Sequence, residues 1–278
     1  MARLFDHRPG AVQEALTVRS AHRSRMHAKD TMDTVATLPD TPRPSAWTTL
    51  LNVLVSPAAA CDDIARRRRH ALLPLVLLLL SFSTLWVYYY SRVDFGWLLE
   101  RMIDSSMARM KEGVSRQEVE MRMGELTAGM MCALMLFAGL ASILMILAFR
   151  AVYLLVLSRL LSERQTGIAT WMALSIWAAV PTALSSVIAL LYILTLDVSY
   201  LMPEDVAVAS VNHLFLHLPS SDRWAPLATS LDVFLGWNAV ILGVGFSRWT
   251  GTAWWVGQLV GFFPFVLIYA IWAAIVAF

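Results

Sequence analysis

The acid with the most to say about chemistry is Asp232. Only fifteen residues, Val233 to Ser247, separate it from Arg248, roughly 22 Å of helix. That is too short for a bilayer core of roughly 30 Å. Starting the helix at Pro226, a favoured first-turn residue, gives 21 residues to Phe246 and draws Asp232 into a span, about 9 Å from its start. An ionisable group there faces the bundle interior or a water-filled path. Asp232, with Asn238 and Gln258, is therefore the candidate intramembrane polar site, suited to an ion or proton. Pairing with a neighbouring helix, or reach to the interface, would satisfy the same position structurally.

His213 and His217 stand four apart on a helix expected after Pro203. Both imidazoles then share one face, the spacing of a two-ligand metal site, and Glu204 or Asp205 joins them if the chain folds back. Met102, Met107, Met110, Met121, Met123, Met130 and Met131 crowd a single region. Thioethers select copper(I), and methionine equally fills an apolar packing stripe. Arg66, Arg67, Arg68, Arg69 and His70 precede an uncharged run. Each basic residue beside an anionic leaflet gains about 1 kcal/mol, so with Trp47 they form the candidate lipid contact as well as a topology signal. Gly257 and Gly261 form G-x-x-x-G, and Gly236 and Gly243 lie seven apart, spacings that let helices approach closely within a bundle or between two copies. No Ser-His-Asp set, phosphate loop, C-x-x-C or carboxylate pair stands out, so neither a catalytic residue nor a cofactor is expected.

The elements that must position these residues follow from charge spacing. With 58% hydrophobic residues, the chain exceeds the roughly 45–50% of soluble domains; its main solvent is lipid. A net charge of +2 provides no field for nucleic acid. Cys61 and Cys132 fall near opposite ends of the expected bundle, which argues against a disulfide. Uncharged windows predict an all-α integral membrane protein of about five spans, at about 71–90, 126–149, 167–195, 226–246 and 252–277, with Pro181 kinking the third. Helical spacing of Trp47, Leu50, Leu51 and Leu54, then Ser56-Pro57 as a helix start, predicts interfacial helices over 45–65. The segments 91–125 and 197–225 are expected on the far side. A stripe from Phe95 through Met110 and an S-x-x-E box at Ser115 and Glu118 make the first of them helical. Residues 1–44 read as a polar, disordered tail without a secretion signal. The lack of periodicity before Met32 suggests that residues 1–31 come from an over-extended start.

Arg66–Arg69, then Arg150, Arg159 and Arg164, then Arg248 all fall on one side of this layout. That predicts a cytoplasmic N-terminus. Lysine occurs only at positions 29 and 111, a bias of GC-rich genomes that points to a bacterial inner membrane.

The run Trp47 to Ile64, WTTLLNVLVSPAAACDDI, followed by the basic cluster, an external helical segment, a proline-bearing long span and then Leu231, Asp232, Phe234 and Trp237, resembles the bacterial branch of the Ypt-interacting protein (Yip) domain family. The resemblance covers roughly residues 45–278 and implies a five-span bundle. Eukaryotic members bind Rab-type GTPases through a domain with a D-L-Y-G-P stretch, which this chain lacks. The expectation is a non-enzymatic membrane organiser that binds lipid, a protein partner or a second copy of itself, with no small-molecule substrate. The alternatives are a small transporter acting through Asp232 and an external metal or redox sensor.

Overall fold

The computed structural model describes residues 45–66, 71–109, 115–164 and 166–278. Arg67, Arg68, Arg69, His70 and Met110, and the tail expected over 1–44, lie outside the described residues. Every regular element among the described residues is helical, apart from one isolated bridge between Ser210 and Asp232.

Polar residues start five of these helices by accepting from backbone N–H groups that the first turn leaves free. Ser45 Oγ accepts from Thr48 N (3.2 Å) to open α1, Ala46–Val55, and Pro57 begins α2, Pro57–Arg66. The first long helix is α3, Leu72–Arg92. Asp94 accepts from Trp97 N (3.1 Å) at the head of α4, Phe95–Arg109. Ser115 opens α5, Arg116–Met123, but the box with Glu118 is half formed. Ser115 Oγ accepts from Glu118 N, whereas the Glu118 carboxylate pairs with Arg122 at 2.6 Å.

Thr127 opens α6, Ala128–Leu161, whose 34 residues extend about 51 Å and outrun a bilayer core. The third apolar run forms α7, Ile168–Ala178, and α8, Val180–Ile193, separated at Ala179 just ahead of Pro181. After a loop of short turns come α9, Ala225–Ser230, α10, Val233–Thr250, and α11, Trp254–Ala277. Gly251, in the left-handed region at φ 74°, ends α10 and turns the chain into α11.

The helix expected to run unbroken through 226–246 is thus two helices. The Leu231–Asp232 backbone leaves the helix to pair with the preceding loop: Val211 N donates to Leu231 O (2.7 Å) and Val233 N to Ala209 O (3.1 Å). α3, α6, the α7–α8 pair and α11 are each long and apolar enough to cross a membrane. The chain is an all-α, multi-pass membrane protein.

Three apolar clusters hold the bundle. One, at the Thr250 end, joins Val53, Cys61 and Ile64 to Trp171, Leu174, Trp177, Ile241 and Phe246. A second, at the Asp94 end, joins Tyr89, Leu98 and Ile193 to Val198 and Val206 of the loop, and Tyr89 Oη donates to Leu201 O at 2.8 Å. The third, around Leu78, Leu147, Ile176 and Ala183, joins α3, α6, α7 and α8.

Candidate functional site

Asp232 is the N-cap of α10. One carboxylate oxygen accepts from Phe234 N at 2.7 Å and the other accepts from Ser185 Oγ at 2.5 Å. Six residues further along, the wholly buried Asn238 meets α8 again. Its surroundings set the amide so that the oxygen accepts from Thr182 Oγ1 (2.7 Å) while the nitrogen donates to Ala178 O (2.6 Å) and Phe234 O (3.2 Å). Ala178 O has lost its helical donor because the chain breaks before Pro181. Neighbouring side chains satisfy such freed groups when a kinked helix lies in lipid. Asp232 and Asn238 therefore form a polar seam between α8 and α10, each side chain hydrogen-bonded to both helices. Gln258 stands apart from it, on α11 against Gly243, with Nε2 lacking a partner among the described residues.

α1 and α2 fold as a hairpin along α10. Trp237 Nε1 donates to Val53 O and Trp249 Nε1 to Cys61 O, both at 3.2 Å, and Arg248 binds Asp62 through Nε (3.0 Å) and Nη2 (2.5 Å). Trp237 and Trp249 are twelve residues apart, so the hairpin follows α10 for about 18 Å. Thr49 and Asn52 approach Asp63 across it. Burial pushes the Cys61 thiol up to about 12, which leaves it protonated and inert. A Yip1 domain family model matches residues 51–275, from within α1 to the last turn of α11.

The chain belongs to the Yip1 domain family. No curated protein and no solved structure matches it. Within this Yip1 domain the remaining sequence-read residues are distributed as follows. Trp47 is exposed on α1 and Arg66 on α2. His213 belongs to a single wide turn, Asn212–Leu216, and His217 ends it in the left-handed region at φ 52°. The helix expected to align the two imidazoles does not form, because Asn212 closes the turn through its side chain, accepting from Leu218 N (2.9 Å) and donating to Leu218 O (3.2 Å). Both histidines, with Glu204 and Asp205, still line one cavity of about 540 Å³. No three His, Cys, Asp or Glu side chains converge on a metal position among the described residues. Met102 and Met131 pack into the cluster at the Asp94 end, whereas Met121 and Met130 are exposed.

The glycines pack helices within the chain. A Cβ on Gly261 would lie 2.3 Å from Ala239 O, and one on Gly257 would lie 2.3 Å from Gly243 O. The G-x-x-x-G face is filled by α10, which removes it as a surface for a second copy. Gly236 touches nothing there, and Gly245, against Leu174, takes the close contact instead. Sequence reasoning missed Thr182 and Ser185, whose hydroxyls were hidden in an uncharged run. It expected the helix to run on past Arg150 to near Arg159, as α6 does, but took Arg150 as a span boundary and topology signal and did not foresee its guanidinium 5.0 Å from the Phe265 ring centre.

Proposed function

We propose that this Yip1-domain protein is a non-enzymatic organiser of the bacterial inner membrane, with five spans, a cytoplasmic N-terminus and the α1–α2 hairpin as its lipid-gripping element. One observation carries the reading. The hairpin is fastened to α10 by two tryptophans and an ion pair, yet Trp47, Leu51 and Val55, four residues apart in turn, leave one face of α1 63%, 61% and 78% exposed. Such a face stabilises by roughly 1.5–3 kcal/mol per large side chain when apolar surroundings cover it. Beside a lipid-facing bundle, acyl chains supply that cover. The hairpin is then a wedge in one leaflet, and the Arg66–Arg69 run beside it adds attraction to anionic headgroups. α10 counts as the remaining span: its 18 residues reach about 27 Å, close to the bilayer core.

The seam at Asp232 favours organisation over transport, since the carboxylate already holds a backbone N–H and a hydroxyl. The test reconstitutes the full chain into vesicles of mixed anionic and zwitterionic lipid and measures their diameter by cryo-electron microscopy. The unchanged protein should narrow the distribution as protein content rises, and a Leu51→Ser, Val55→Ser variant should not. Equal curvature from both proteins, at equal incorporation, would refute the wedge.

A further inference from the structure

Arg150 is unlike the other arginines of the bundle. It lies eleven residues before the end of α6 at Leu161, and Phe265, under its guanidinium, lies eleven residues after the start of α11 at Trp254. Ser162 Oγ donates to Thr250 O, which brings the ends of α6 and α10 together. Arg150 is thus about 16 Å inward from that end along either helix. Side chains lean toward the start of their own helix, here away from the Thr250 end, so the guanidinium does not reach back to the nearer interface. Among the described residues it has no carboxylate and no hydrogen-bond partner. A cation at this depth costs about 2.5–3.5 kcal/mol on insertion scales and marks a functional position by default.

Its surroundings show what could complete it. Arg150 borders a cavity of about 260 Å³ between α6, α10 and α11, with Tyr153, Leu242, Phe265, Tyr269 and Trp272 in the wall. Pro264 holds the groove open. It removes the N–H that Val260 O would accept one turn later, and Tyr153 Oη donates to that oxygen instead, at 3.0 Å. Two helices are thereby bridged through a tyrosine rather than by close backbone contact. The outer wall, with Ile146, Phe149 and Ile268 exposed, faces acyl chains.

We propose that this groove holds one anionic phospholipid taken from the bilayer, with its phosphate on Arg150 and one acyl chain along Phe149, Ile268 and Trp272. Charge complementarity selects an anionic head, because the arginine is the only charge among the described residues that line the groove and a guanidinium binds phosphate through paired N–H donors. The apolar walls select a chain, and the lipid-facing opening selects a molecule from the membrane. This site is separate from the hairpin and stands or falls without it.

The test extracts the full-length protein in mild detergent from vesicles of phosphatidylglycerol and phosphatidylcholine and counts retained lipids by native mass spectrometry. One phosphatidylglycerol per chain is expected. Arg150→Met should lower its retention about tenfold or more, the scale of a lost charged hydrogen bond, while Arg150→Lys retains most of it. Ile268→Trp, which narrows the groove with the arginine intact, should also lose it. Arg159→Gln, on the same helix beyond the groove, should not. Equal retention of phosphatidylcholine, a fatty acid in place of the phospholipid, or undiminished retention in Arg150→Met would overturn the proposal.

Discussion

Gly261→Ala adds a single methyl group where the backbones of α10 and α11 meet. Its Cβ would lie 2.3 Å from the backbone oxygen of Ala239 and 2.8 Å from the backbone nitrogen of Gly243. Ordinary contact begins near 3.4 Å, so α10 and α11 must part by about 1 Å locally, since neither obstacle is a side chain that can rotate away. Overpacking of this kind costs about 1–3 kcal/mol, against which alanine returns about 0.8–1 kcal/mol of helix propensity. A net loss of up to about 2 kcal/mol follows, as much as a thirtyfold change in the unfolding constant. Gly236→Ala on α10 is the control: it meets nothing within 4 Å and should stabilise by about 0.5–1 kcal/mol. Both variants would be unfolded by SDS in mixed micelles with tryptophan emission as the signal. The opposite signs are the test. A neutral Gly261→Ala, or two variants that shift together, would refute the claim that the α10–α11 backbones touch.

Asp232→Ala should destabilise by about 0.5–2 kcal/mol in the same assay through loss of the α10 cap, while Asp232→Asn, also a good capping residue, keeps most of the stability. Asn238→Leu should cost about 1–3 kcal/mol, because Ala178 O and Thr182 Oγ1 both lose a partner. Tyr153→Phe should cost about 0.5–1.5 kcal/mol in the native chain and clearly less in a Pro264→Ala background, where the helix can supply Val260 O itself; a double-mutant cycle measures the difference. Cys61 should resist maleimide in the folded protein and react after SDS unfolding, since its thiol is buried and held near pKa 12; mass spectrometry of labelled peptides checks it.

The long helices were legible because a charge-free window of twenty residues reports directly on the solvent around it. α3 at Leu72–Arg92 and α11 at Trp254–Ala277 lie on two such windows. The short starts at Ala46 and Pro57 were legible from capping chemistry. The break at Leu231–Asp232 was not, because the residues that hold it, Ala209 and Val211, sit in a loop whose pairing no local pattern encodes. His213 and His217 misled for a related reason: a four-residue spacing aligns side chains only on a helix, and Asn212 closes a different turn. Arg150 was misplaced because window counting treats every charge as a boundary, whereas its neighbour Phe265 is 115 residues away in sequence.

Pro181 and Pro264 show how the remaining polar residues acquire a purpose. Each proline withholds an N–H or breaks the turn around it, and each leaves a carbonyl in a medium with no water to pair it. The donors come from other helices: the Asn238 amide on α10 reaches Ala178 O, and the Tyr153 hydroxyl on α6 reaches Val260 O. Both kinks are therefore fastened across a helix interface, which makes them fixed features of the bundle rather than hinges. Rigid kinks keep helices apart at chosen places while glycines bring α10 and α11 together at others. The space that results beside Pro264 is the groove that Arg150 enters. A polar residue in this chain is thus best read through the backbone group or cavity that another helix presents to it, which is why Asp232, conspicuous in the sequence, is a cap, and Arg150, inconspicuous there, borders a cavity without an ion pair among the described residues.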